Sequence, residues 1–150
     1  MMLLSRRSLL GIAAVVDIAM HARPGPVAAK LLAARHELPP RHLETLLQSL
    51  VRAGILKGVR GPRGGYELAK ERRRITAGDV VRAAMASADE EDAVEPHSLL
   101  VDQVVGPAVK AAGRDFLAHL DAYTIEDLCL KAEERRVFHG SRAAMADFAI

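Results

Sequence analysis

The chain has 150 residues, half of them apolar, which is material for one ordinary domain with an added arm. Aromatic residues make up 3% and Trp is absent, so the core must be Leu, Val, Ile and Ala, a composition that favours helices over a large β-sandwich. A net charge of +2 hides an asymmetry: residues 1–80 carry 14 Lys/Arg against 6 Asp/Glu, whereas residues 81–150 carry 7 against 13. A basic half points to a polyanionic partner if the charges gather on one face, and to nothing if they are spread around it. The single cysteine, Cys129, permits neither an intrachain disulfide nor a CxxC metal motif and fits a reducing cytoplasm.

At the start, Ser5-Arg6-Arg7-Ser8-Leu9-Leu10 and the apolar run behind it have the form of a twin-arginine export signal. Asp17 and His21 interrupt that run, and the spacing of Leu9, Ile12, Val16 and Met20 predicts instead an amphipathic helix over 5–22, capped by Ser5. No stretch reaches the roughly 18–20 apolar residues of a membrane span. Arg23-Pro24-Gly25-Pro26 breaks the helix. A second helix is expected over 27–36, with Val27, Leu31 and Leu32 inward. After the turn at Leu38-Pro39-Pro40, a third follows over 40–53, with Leu43, Leu46, Leu47, Leu50 and Val51 as its stripe. Gly54 sits at a C′-type stop.

Two β-prone runs, 55–59 and 66–68, then flank Gly61-Pro62-Arg63-Gly64-Gly65, a hairpin with a long glycine-rich turn. Thr76, with Asp79 three residues on, caps a fourth helix over 77–85 that turns Val80, Val81 and Ala84 inward. Residues 86–97 read as an acidic linker loop. Helical pattern resumes over 98–123, where Pro107 either kinks one long helix or starts another. Its apolar stripe is Leu100, Val104, Val105, Val109, Phe116, Leu117 and Leu120, more than one small domain needs and suited to a dimer interface. Thr124 caps a last helix reaching about 136, and 137–150 is a tail. The expected organisation is a DNA-binding domain over 1–85, the linker over 86–97, a dimerisation unit over 98–136 and the tail.

A helix, a stop at Gly54 and a basic hairpin form the layout of a winged helix-turn-helix: mainly α, with a small β-hairpin. The third helix leaves Arg41, His42, Glu44, Thr45, Gln48 and Arg52 on its outside. Arg pairs with guanine, Gln with adenine, and Glu accepts from the cytosine amino group, so such a helix suits a major groove; any exposed helix face is also polar. The hairpin adds Lys57, Arg60 and Arg63. Its glycines permit close approach to a backbone, and its arginines can neutralise phosphates or enter a narrow minor groove. GPRGGY lacks the spacing of a phosphate-binding GxxxxGK[ST] loop and lies in a hairpin. No nucleophile–base pair and no metal-ligand spacing emerges, so no catalytic residue is assigned and an enzyme is not expected.

The string LPPRHLETLLQSLVRAGILKGVRGPRGGYELA resembles the recognition helix and wing of the Rrf-two family of bacterial transcription regulators, which includes the IscR, NsrR and CymR types. The likeness rests on His42-Leu43-Glu44 with Leu46, on Arg52-Ala53-Gly54-Ile55-Leu56, and on Val59-Arg60-Gly61-Pro62 with Gly64-Gly65-Tyr66. Asp17-Ile18-Ala19, Ile75-Thr76, Asp79-Val80-Val81-Arg82-Ala83, Phe116-Leu117 and Tyr123-Thr124-Ile125 extend it over about 1–130. The resemblance implies a homodimer with a long crossed helix on a palindromic operator in double-stranded DNA. It also implies base reading by Glu44 and its neighbours, a minor-groove contact by Arg60, and a DNA-proximal start for the first helix.

Many family members hold an iron–sulfur cluster through three closely spaced cysteines between the fourth helix and the dimerisation helix. Here 86–106 contains none. A cluster wants about four ligands, mainly thiolates, so no cofactor is expected. Glu90, Glu91, Asp92, Glu95 and His97 form either a divalent-metal site or, more commonly, a solvated loop; no metal site is assigned. Cys129 is either a buried structural thiol or a redox switch acting through an intermolecular bond, a mixed disulfide or a sulfenic acid. The expected function is a sequence-specific regulator, a repressor, with an effector the sequence does not name. A protein-interaction module with vestigial DNA binding is the alternative.

Overall fold

The computed structural model describes residues 4–86 and 98–138. The acidic stretch with Glu90, Glu91, Asp92, Glu95 and His97, and the tail from 139, lie outside them. Helices α1 (Arg6–Met20), α2 (Ala29–Arg35) and α3 (Pro40–Arg52) precede an antiparallel hairpin, β1 (Leu56–Val59) and β2 (Gly65–Leu68). A 3-10 turn (Arg72–Arg74) leads to α4 (Ala77–Ala86), and α5 (Gly106–Leu120) and α6 (Ile125–Glu134) complete the order.

Ser5 caps α1 by accepting the Ser8 N–H at 3.2 Å. The buried face of α1 is not the expected Leu9–Ile12–Val16–Met20 stripe but Ser8, Gly11, Ala14, Val15, Asp17 and Ile18. This helix is apolar around most of its circumference, and Gly11 decides which side goes in: a Cβ there would lie 3.3 Å from Val80 Cγ1. The missing side chain lets α4 approach closely. Leu9, Ile12 and Val16 instead line an apolar groove with Leu128 and Ala132 of α6.

The second helix starts later than expected. Val27 donates to Tyr66 O at 2.9 Å and accepts from Tyr66 N at 2.8 Å, so its backbone belongs to a bridge with the wing and not to α2. Leu31 points outward and Leu32 and Ala33 take the inward side. In α3 the stripe Leu43, Leu46, Leu47 and Leu50 is fully buried, each side chain contributing about 1.5–3 kcal/mol. Gly54 follows the Ala53 C-cap at φ 75°, the left-handed stop its position requires.

Around that stripe gather Ile18, Leu32, Leu56, Ile75, Val80 and Ile125, all buried. Helix α6 enters this core because its start is fastened to α4. Ile125 N donates to Ile75 O at 2.8 Å and Ala77 N to Tyr123 O at 2.8 Å. Arg82 forks onto Asp121 with two 2.8 Å bonds, and Thr76 Oγ1 donates to the same carboxylate at 3.0 Å. Both helix starts carry reciprocal caps, Thr76 with Asp79 and Thr124 with Asp127.

Pro107 stands in the first turn of α5, the position a proline tolerates best. Residues Val101–Val105 form a π-helical stretch that runs into α5, and Gly106 N–H reaches back to Val101 O. The wider turn accommodates the donor that proline lacks.

Candidate nucleic-acid interface

The geometry of α3 separates two faces cleanly. With the leucine stripe inward, Arg41, His42, Glu44, Thr45, Gln48 and Arg52 are all exposed. Pro40 at the first helical position needs no partner for a missing N–H, which leaves Arg41 and His42 at the open N-terminal turn. Thr45 Oγ1 lies 3.4 Å from Arg41 O, and Ser49, on the inner side, donates to Thr45 O at 3.0 Å. Arg7 of α1 reaches Ser49 Oγ at 3.5 Å, placing the start of α1 beside the C-terminal part of α3.

The wing pairs Leu56 with Leu68, Lys57 with Glu67, Gly58 with Tyr66 and Val59 with Gly65. Arg60 and Arg63 stand exposed at its tip, and Lys57 is exposed on β1, where its Nζ lies 3.2 Å from Glu67 Oε1. Gly61 has φ 114°, and Gly64 N donates to Gly61 O at 2.9 Å, closing the tip. Gly65 has no room for a side chain: a Cβ would meet Val27 O, with Val27 C at 2.5 Å and Ala28 N at 2.7 Å. The wing is thus held against the entrance to α2 as well as by its own ladder.

A profile of the Rrf2 family, described as iron-dependent transcriptional regulators, matches residues 4–131. The chain belongs to the Rrf2 family. Protein rrf2 of Nitratidesulfovibrio vulgaris is 36% identical over 134 residues, covering 85% of this chain and 87% of that protein. The regulator CymR of Bacillus subtilis is 33% identical over 131 residues, covering 85% and 89%. Among solved structures, T. potens IscR superposes with a TM-score of 0.66 at 34% identity, covering 89% of this chain and 90% of that one. This Rrf2-family chain is therefore a winged helix-turn-helix, DNA-binding transcriptional regulator and not an enzyme.

Sequence reasoning missed the most buried polar group. Asp17 is fully buried; Arg35 forks onto it at 2.9 and 2.6 Å, and His36 Nε2 lies 2.9 Å from Oδ2. His21 Nδ1 is 3.1 Å from Oδ1. Burial pushes the Asp17 carboxyl up, but hydrogen bonds from His36 and Arg35 and the Arg35 charge outweigh it, holding it below its ordinary 3.8. The available signal was a lone acid within a largely apolar helix, which demands a cation wherever it is buried.

Cys129 is fully buried, its Sγ 4.0 Å from Val16 O in the contact between α6 and α1. Burial pushes its thiol up, with Arg72 opposing. Among the described residues no cluster of His, Cys, Asp or Glu has the makings of a metal site, and no helix is long and apolar enough to cross a membrane.

Proposed function

We propose that this regulator binds a palindromic operator as a homodimer and represses transcription in the cytoplasm without an iron–sulfur cluster. Helix α3 enters the major groove with Arg41, His42, Glu44, Thr45, Gln48 and Arg52, while Arg60 and Arg63 of the wing reach phosphates or the minor groove and Lys57 supports them. The observation that carries this reading is the exposure of all these residues on α3 and the wing, while the leucines between them fill the core.

Dimerisation is supported by Leu99, Leu100, Val104, Val105 and Val109, between 44 and 75% exposed on one helical run. Such a row calls for a cover, and a C2 partner presenting the same row would supply it. The donor set argues against a cluster: the chain has one cysteine, and that one is enclosed between α1 and α6.

Selection of bound sequences from random duplex DNA tests the reading. The expected product is a palindrome bound in a salt-dependent manner, with Arg60→Ala weakening binding by about 1–3 kcal/mol if its contact is to a base. Equal binding to all duplexes would refute it.

A further inference from the structure

We infer that Asp17, Arg35 and His36 form a positioning cluster that sets how the recognition helix is presented, and so governs sequence discrimination without touching DNA. The inference rests on the DNA-reading assignment of α3.

Helix α2 has only 7 residues and no side-chain N-cap. Its chief packing partner is α3, which is itself seated on α4, β1 and α1, so α2 and the turn that leads into α3 depend on attachments at the two ends of α2. At its entrance the attachment is the Val27–Tyr66 bridge to the wing. At its exit it is the Asp17 cluster on α1, a helix set into the core against α4 and α6. Three side chains at that exit gather around one buried carboxylate, His21 also reaching the Asp17 main-chain oxygen at 2.8 Å. Arg35 and His36 come from the α2 side and His21 from α1, with the Phe138 ring edge-on to His21 at 4.8 Å.

The step from this cluster to the reading surface is short. Leu38 N donates to Ala33 O at 2.9 Å and Glu37 N to Ala34 O at 3.4 Å, with Glu37 at φ 53°. This is a Schellman turn, here with a glutamate in the left-handed position that glycine ordinarily fills. It joins His36 to Pro40, the first residue of α3, and Arg41 and His42 follow at once. A shift of His36 relative to α1 therefore carries the N-terminal turn of α3 with it, the part of a recognition helix nearest the bases. Phosphate attraction depends on charge and tolerates such a shift, whereas base contacts depend on placement.

The experiment compares full-length wild type with Arg35→Lys, His36→Ala and His36→Gln. The probes are the duplex selected by wild type and a scrambled duplex of equal length. Arg35→Lys keeps the charge but not the fork, and is expected to lower the ratio of specific to non-specific affinity about tenfold, with non-specific affinity and its salt slope unchanged. His36→Ala should lower the ratio, and His36→Gln, whose amide N–H replaces the Nε2 donor, should restore it. An unchanged ratio in folded Arg35→Lys and in His36→Ala overturns the inference. Should Arg35→Lys fail to fold, the two His36 variants decide: equal ratios overturn it, and loss with Gln rescue supports it. A wild type that selects no sequence defeats the assignment of α3 as a DNA reader instead.

Discussion

Replacing Asp17 with Asn preserves the shape of the side chain and removes its charge. The Arg35 side chain, 10% exposed, would lose a partner held at 2.6 and 2.9 Å, and the new amide nitrogen would present a donor to other donors. Removing one member of such a buried pair costs about 3–5 kcal/mol. Near 150 residues each kcal/mol moves Tm by about 2–4 °C, so Tm should fall by about 6–20 °C. Thermal and urea melts followed by circular dichroism, at one fixed protein concentration because association adds stability, measure this. The pH dependence has a definite sign. The folded-state pKa of Asp17 lies below its ordinary 3.8, so its contribution is complete above that value and is lost as pH falls through the folded pKa. The gap between wild type and Asp17→Asn should be flat from pH 7 to about 5 and close only in stronger acid. A gap under about 2 °C at pH 7, or one that closes between pH 7 and 5, would refute the reasoning.

Three further outcomes follow from the packing. Gly65→Ala sets a methyl against the Val27 backbone, so it should cost about 1–3 kcal/mol and raise amide exchange at Tyr66; unchanged exchange would contradict the bridge. Native Cys129, fully buried, should resist a thiol reagent until the protein is unfolded, and immediate modification would show that the α1–α6 contact opens freely. Val104→Glu with Val109→Glu alters side chains 59 and 63% exposed, so the fold should survive within about 0.5 kcal/mol per site while sedimentation shows a monomer. A dimer of unchanged strength would remove the run from the π-helical stretch into α5 from the interface.

Much of the fold was legible because local signals agreed. The leucines of α3 recur at helical spacing, Gly54 marks the stop, and the Gly-Pro-Arg-Gly-Gly tip admits little besides a hairpin. The exposed polar face of α3 followed from the same spacing, since burying one stripe leaves the other outside. Where a segment carries two competing patterns, the local signal failed. Helix α1 has apolar residues on most sides, so periodicity selected Leu9, Ile12, Val16 and Met20, and only the approach of α4 over Gly11 showed the core face. Val27 fits a helix by composition, but a strand more than thirty residues onward takes both its backbone bonds.

The element order, the third helix with its polar outer face, the basic wing and the single cysteine could all be read without the fold. All of these are written in residue types at short separations. The folded chain was needed to show that Asp17 gathers Arg35, His36 and His21, that Arg82 locks onto Asp121, that Val27 joins the wing and that Cys129 is enclosed. Each pairs groups from different elements, and which pairs meet depends on how buried faces fit together. Spacing along the chain carries no record of that choice.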